Sequence, residues 1–250
     1  MAGHSHWANI ARKKAIVDNK RGKVWSKLAK NIMAAAKAGG GDPDANLRLR
    51  YAINDAKAIS MPRENIERAV KKGTGDLAGG SLDEVLYEGY GPGGTAVLCE
   101  ILTDNRNRTA GEIRKIFDSC DGKLGATGCV AWMFDRKGLL VVPADKIGED
   151  ELLELALEAG ADDVAQVEDK FEVTCDPTKF SDVAAALEAK SIATDRREIT
   201  RIATNTVDLD AENGRKVLKL MEKLEDHDDV QTVASNFNIT EAAMAEMGEA

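Results

Sequence analysis

Aromatic residues are scarce in this chain: its 250 residues include three Trp, three Tyr and five Phe. That scarcity argues against a binding surface built mainly on stacked bases. Metal-binding cysteine patterns are missing too. Cys99, Cys120, Cys129 and Cys175 form no C-x-x-C pair, so neither a zinc ribbon nor a thioredoxin-type motif is supported. All four lie in or beside apolar runs and read as reduced, buried thiols. No apolar stretch approaches the roughly 20 residues that span a membrane. The start, Met-Ala-Gly-His-Ser-His-Trp, has no apolar signal-peptide region. These absences predict a soluble protein of a reducing, cytoplasmic compartment with no membrane partner. Catalytic patterns are also lacking: no serine nucleophile elbow, no H-E-x-x-H and no Cys–His pair with an orienting third group. The expectation is a chain that is not an enzyme, with no cofactor, no resident metal and no small-molecule substrate.

What the chain does have is segregated charge. Overall it is acidic, with 34 Lys+Arg against 43 Asp+Glu. Residues 1–75 hold 16 of the bases and only six of the acids, a net +10 that leaves −19 on the remainder. Such a split predicts that a polyanion docks at one end and is repelled elsewhere.

Residues 1–22 are polar and basic with isolated Trp7, Ile10 and Ile16, and read as an extended arm. Over 23–38, Val24, Trp25, Leu28, Ala29, Ile32, Met33 and Ala36 recur at helical spacing. Lys20, Lys23, Lys27, Lys30 and Lys37 fall in a separate arc of about 100° on that helix. Gly39-Gly40-Gly41 stops it, and Asp42-Pro43 reads as the cap and first position of a second helix. Ser60-Met61-Pro62 opens a third, ending at Gly73. Three amphipathic helices close a small bundle, and Thr74–Gly80 reads as a linker.

Beyond residue 80 the pattern becomes α/β. Strands are expected at 85–90, 95–102, 130–134 and 139–142. Thr109-Ala110-Gly111-Glu112 has capping-box spacing for a helix to about Cys120. A helix near 149–159, a hairpin of 164–167 with 171–175, a helix after Asp176-Pro177 and a strand near 199–203 follow. That order, β-α-β-β-α-β, is ferredoxin-like. Asp210 caps a helix over 211–225, and a last strand is expected at 229–237. The predicted fold is therefore α+β and multidomain. A basic helical domain (1–80) precedes a split α/β middle domain (81–129 and 204–240), a ferredoxin-like domain (130–203) is inserted in that, and 241–250 is a tail.

The basic arm and first helix carry the main functional signal. Arg12, Lys13, Lys14, Lys20, Arg21, Lys23, Lys27 and Lys30 are candidates for phosphate contacts, since lysines and arginines at this density release counterions without choosing sequence. Trp7 either stacks on a base or pins the arm. Asp104-Asn105-Arg106-Asn107-Arg108-Thr109 joins a strand end to a helix start, where backbone N–H groups favour anions. Arg106 and Arg108 there either grip phosphate or belong to a polar, capped loop. Glu88–Thr95 lacks the Gly-Lys-Ser/Thr ending of a phosphate loop and reads as a glycine turn between strands. Glu225-Asp226-His227-Asp228-Asp229 reads as a solvated helix-to-strand loop, because consecutive residues seldom converge on one metal ion.

Several of these segments resemble the YebC family. They are the start Met-Ala-Gly-His-Ser-x-Trp-Ala-Asn-Ile, Lys20-Arg21-Gly22-Lys23, Gly39–Pro43, Pro62–Ile66, Tyr87–Gly94 and Asp104–Thr109. The resemblance runs through the loop near 225–231. It implies a helical N-terminal domain and two α/β domains, one inserted in the other. It also implies a non-enzymatic regulator of gene expression. Members are described as probable DNA-binding transcriptional regulators, and others resemble ribosome-associated translation factors that bind ribosomal or transfer RNA and relieve stalling, for example at proline runs. His6 stands where the family usually has Lys, so a phosphate contact does not carry over to that position. Lysines hold phosphate better than they read bases, which favours the ribosome as partner; the family description favours DNA.

Overall fold

The computed structural model describes residues 21–78 and 82–248. The arm, with Trp7, Arg12, Lys13, Lys14 and Lys20, lies outside the described residues. Three helices open the structure: α1 (Arg21–Gly39), α2 (Leu47–Ala58) and α3 (Arg63–Thr74). Their apolar stripes meet in one core built on Ile32, Ala35, Ala36, Leu49, Ala56, Ile66 and Ala69. Full burial of a side chain such as Ile32 stabilises by about 1.5–3 kcal/mol. Alanines at the crossings let the helices approach closely. Gly73 takes this furthest, because a Cβ there would stand 2.5 Å from the Met33 carbonyl oxygen. The third helix runs one residue beyond that glycine and ends at Gly75, which adopts φ 88°.

Asp42-Pro43 does not start α2. Those residues form a turn, and Asn46 is the cap, its Oδ1 accepting from Leu49 N–H at 3.1 Å. Its Nδ2 donates to the carbonyls of Ala35 and Gly40, both at 2.8 Å. One buried amide thus starts α2 and ties it to two carbonyls around the last turn of α1, which a carboxylate at position 42 cannot do.

The chain continues as β1 (Asp83–Tyr90), β2 (Ala96–Thr103), α4 (Arg106–Asp118) and β3 (Lys123–Leu124). Next come β4 (Phe134–Pro143), α5 (Glu149–Glu158), β5 (Ala161–Val167), β6 (Lys170–Cys175), α6 (Phe180–Ala189) and β7 (Arg196–Ala203). It finishes with β8 (Val207–Leu209), α7 (Ala211–Glu225), β9 (Val230–Ser235), β10 (Phe237–Ile239) and α8 (Glu241–Gly248). One sheet has the order β3-β1-β2-β9 and a second the order β5-β6-β4-β7. The second sheet is antiparallel throughout and has ferredoxin-like order. It is inserted between β2 and the strand β9 that pairs with it.

The first sheet packs one face on α4 and α7 through Val97, Cys99, Ile101, Ile113, Phe117, Val217 and Leu220. The opposite face of β2, with Ala96 and Leu98, meets Val130, Phe134 and Ala234. Buried on both faces, β2 reads as a continuous apolar run rather than an alternating one. The bundle also touches the inserted β-α-β-β-α-β unit: Tyr51 of α2 meets Phe180 of α6 edge-on at 5.5 Å, and the guanidinium of Arg197 on β7 lies 5.5 Å from the Tyr51 ring centre.

Four further local expectations are corrected. The strands expected at 130–134 and 139–142 are one strand, β4, preceded by a 3-10 turn at Ala131–Met133. Helix α4 starts three residues before Thr109, capped by Asn105, whose Oδ1 accepts from Arg108 N–H at 3.0 Å. The last strand is broken at Asn236, whose side chain accepts from Ala96 N–H at 2.7 Å, so that the chain leaves one sheet and pairs with β8 in another. The segment expected as a tail forms α8, with Ala243 buried in the middle core. The turn at 91–94 joins β1 to β2 as expected, with Gly93 at φ 68°.

Candidate nucleic-acid interface

Within the lysine face of α1, Lys23, Lys27 and Lys30 lie on one stripe as the periodicity predicts, and these three are tied to the loop after α7, while Lys37 is exposed and bonds the Leu82 carbonyl. Lys23 Nζ donates to the Asp226 carbonyl at 3.0 Å and lies 3.3 Å from that residue's carboxylate. Lys27 donates to the Glu225 carbonyl. Lys30 reaches the Asp228 carbonyl at 2.9 Å and Asp229 Oδ1 at 2.5 Å. Spacing of four and three residues puts these ammonium groups on one stripe of α1. The acceptors include the last carbonyls of α7, the negative end of its dipole, where cations are stabilised. Burial lowers the Lys27 pKa, against the opposing pull of Glu225, Asp228 and Asp226.

Asp229 is the centre of this clasp. It is only 4 % exposed, a buried carboxylate in a loop whose Asp226 and Asp228 stay exposed as expected. Its Oδ1 holds Lys30, while its Oδ2 accepts from Thr109 at 2.7 Å, Arg108 at 2.8 Å and Thr103 at 3.1 Å. Burial alone would raise its pKa; the bonds from Lys30, Thr109 and Arg108 outweigh that and hold the carboxyl well below the usual range. Asp229 N–H donates to His227 Nδ1 at 3.1 Å, so in the neutral ring Nε2 carries the proton and donates to Glu112 at 2.9 Å. An open cleft of about 560 Å³ lies here, bordered by Lys23, Lys30, Arg108, Glu112 and residues 226–229.

Glu112, His227 and Asp229 offer ligand atoms within 4.8 Å of one another. Both Asp229 oxygens, however, already hold cationic side chains, whose charge opposes a metal ion at the same point. The arginines expected at the α4 start are likewise engaged. Arg106 Nε pairs with Asp83 at 3.0 Å, and Arg108 pairs with Asp104 at 3.0 Å as well as with Asp229. The structure therefore gathers Lys23, Lys27, Lys30 and Arg108 around one acidic loop and leaves Arg106 apart at the start of α4, paired with Asp83 of β1. Arg21 opens α1. Exposed bases remain on α3: Arg68, Lys71 and Lys72.

Thr103, Thr109 and Asp229 were not legible as site residues. The signal available for Asp229 was charge matching, with lysines at 23, 27 and 30 against the acidic run 225–229. No helix among the described residues is long and apolar enough to cross a membrane.

Comparison with known proteins fits this architecture. Residues 5–76 match the TACO1/YebC protein N-terminal domain, and residues 82–237 match the TACO1/YebC second and third domain. A probable transcriptional regulatory protein of Rhodopirellula baltica is 56% identical over 247 residues, covering 98% of this chain and 100% of the relative. One from Geobacter sulfurreducens is 54% identical, covering 99% of this chain and 100% of the relative. The crystal structure of a conserved hypothetical protein from Aquifex aeolicus superposes with a TM-score of 0.85 at 48% identity, covering 95% of this chain and 98% of that one. With matching domain models, near-full-length relatives and a shared fold, the chain belongs to the TACO1/YebC family.

Proposed function

We propose that this chain is a non-enzymatic, cytoplasmic regulator of gene expression that binds nucleic acid through its basic N-terminal domain. The observation that carries the reading is the charge split, +10 on residues 1–75 against −19 on the rest. Naming of its relatives as probable transcriptional regulatory proteins supports DNA as the polymer. Arg12, Lys13, Lys14, Lys20 and Arg21 make the primary phosphate contacts, with Arg68, Lys71 and Lys72 of α3 extending the surface. Lys23, Lys27, Lys30, Arg106 and Arg108 serve first as ties within the molecule and meet phosphate only when those ties open.

A second reading is a ribosome-associated factor on ribosomal RNA. It is favoured by the lysine-dominated α1, which offers few groups suited to reading base edges. Replacing Arg12, Lys13 and Lys14 by alanine tests both readings. Each lost phosphate contact lowers the salt slope of binding by about 0.9 on duplex DNA or 0.7 on single strands. An unchanged affinity and slope on both polymers refutes nucleic-acid binding by the arm. Crosslinking in cells with sequencing of bound DNA and RNA decides between the two: promoter peaks support the first, ribosomal RNA alone the second.

A further inference from the structure

A groove of about 290 Å³ lies between α1 and α3, with two cations in its lining and no acid. Trp25, Met33, Met61, Asn65, Arg68 and Lys72 border it. Helical spacing explains the set. Trp25 and Met33 stand close to two full turns apart on α1, while Asn65, Arg68 and Lys72 recur at three and four residues on α3. The two helices are closest at Gly73, beside the Met33 carbonyl, and the groove opens on the N-terminal side of that contact. The lysines tied to the acidic loop stand elsewhere. Lys23, Lys27 and Lys30 lie roughly 130° around α1 from the centre of the Trp25–Met33 face, at about 100° per residue. A ligand can therefore enter with the clasp closed.

The lining selects the occupant. Arg68 and Lys72 are exposed, and neither forms an ion pair among the described residues. The acids nearest in sequence, Glu64 and Glu67, do not border the groove, and Glu67 is held by Arg63 at 2.7 Å. The local charge therefore attracts an anion. Between the cations, Met33 and Met61 supply adaptable, polarizable surface. The Trp25 Nε1 is buried and donates to no acceptor among the described residues. Asn65 adds an amide that both donates and accepts. An apolar slot with a spare indole donor, an amide and flanking cations matches a nucleotide. A base brings a flat ring with acceptors on its edge, and its phosphates meet the cations. A small turn of the indole brings Nε1 to such an acceptor. An acidic peptide satisfies the cations but brings no such ring. In a duplex the bases are paired and stacked, so the slot takes an unpaired one, which RNA presents in loops, bulges and ends.

We propose that the groove between α1 and α3 captures one unpaired base of an RNA strand, its edge on Trp25 and Asn65 and its phosphates on Arg68 and Lys72. The slot rests on the nucleic-acid reading above and favours its RNA form. One slot, rather than a row of stacking platforms, agrees with the scarcity of aromatic residues.

The test titrates the full-length, 15N-labelled chain with three 12-unit probes. They are single-stranded RNA of alternating adenylate and cytidylate, which does not pair with itself, the same ribose-phosphate strand without bases, and duplex DNA. The RNA is expected to shift the Trp25 indole N–H resonance, assigned by its loss in Trp25→Phe. The other two probes are expected to bind and leave it in place. Removing the bases should weaken affinity roughly 5- to 150-fold, the range for one base on an aromatic side chain. Trp25→Phe keeps a ring against the bundle core and removes the donor, so it should narrow that gap. Arg68→Ala combined with Lys72→Ala should lower the salt slope on RNA by about 1.4, at about 0.7 per contact. A Trp25 resonance that ignores bound RNA, or moves equally with duplex DNA, overturns the slot and leaves phosphate binding standing. Equal affinity for the strand with and without bases does the same. If none of the three probes binds, the nucleic-acid reading itself falls and the slot with it.

Discussion

Asp229→Asn is the most direct perturbation of the clasp. It keeps the side-chain shape and removes the charge that Lys30 and Arg108 face. Hydrogen bonds to charged groups contribute about 1.5–3 kcal/mol each. The Lys30 side chain is 22% exposed, so its loss counts nearly in full, whereas Arg108 is 45% exposed and keeps Asp104, so its share is discounted for screening. The amide also turns a donor toward one of these cations. The sum is about 2–4 kcal/mol. Thermal unfolding followed by circular dichroism should show it as a midpoint lowered by roughly 4–16 °C, at about 2–4 °C per kcal/mol for a chain of this size. Asp226→Asn is the control. Its carboxylate is 46% exposed and Lys23 keeps the Asp226 carbonyl, so the cost should stay below about 1 kcal/mol. If the two variants melt alike, Asp229 is not the centre of the clasp.

Two further outcomes follow from the same geometry. Because the Asp229 pKa is depressed in the folded state, its stabilisation is fully present above the unfolded value of about 3.9 and is lost as pH falls below it; urea titrations should therefore show the parent's advantage over Asp229→Asn shrinking from pH 5 to pH 2, and a constant gap refutes the linkage. Gly73→Ala should destabilise: helix propensity gains about 1 kcal/mol, but a Cβ 2.5 Å from the Met33 carbonyl and 2.7 Å from Ala36 Cβ forces α1 and α3 apart at about 1–3 kcal/mol, so a raised melting point would show that the close approach is unimportant.

Much of the fold was legible because it rests on local signals. Helix α7 begins where Asp210 said it would, its carboxylate accepting from Asn213 N–H at 2.8 Å. The β-α-β-β-α-β order of the inserted sheet follows from strand and helix patterns that alternate cleanly. Errors arose where a distant partner decided a local question. Asn46 outcompetes Asp42 as a cap because the end of α1 also needs its amide. Thr109 fits a capping box in sequence, yet it is buried against Asp229 from the far end of the chain. Asn236 breaks the last strand because it bonds Ala96. Lys23, Lys27 and Lys30 do share a stripe; that these three meet Glu225–Asp229 depends on a contact about 200 residues away.

The insertion between β2 and β9 also has a consequence for the order of synthesis. Strand β2 is buried on both faces, and its pairing edge is completed only by β9. At about 5–20 residues per second, translation of the 126 residues between Thr103 and Val230 takes roughly 6–25 seconds. Throughout that interval the β1–β2 hairpin stands with an open, apolar edge while the inserted sheet can already close on itself. The nascent chain therefore assembles from the inside outward, and the acidic loop that anchors α1 arrives only after the inserted sheet is complete.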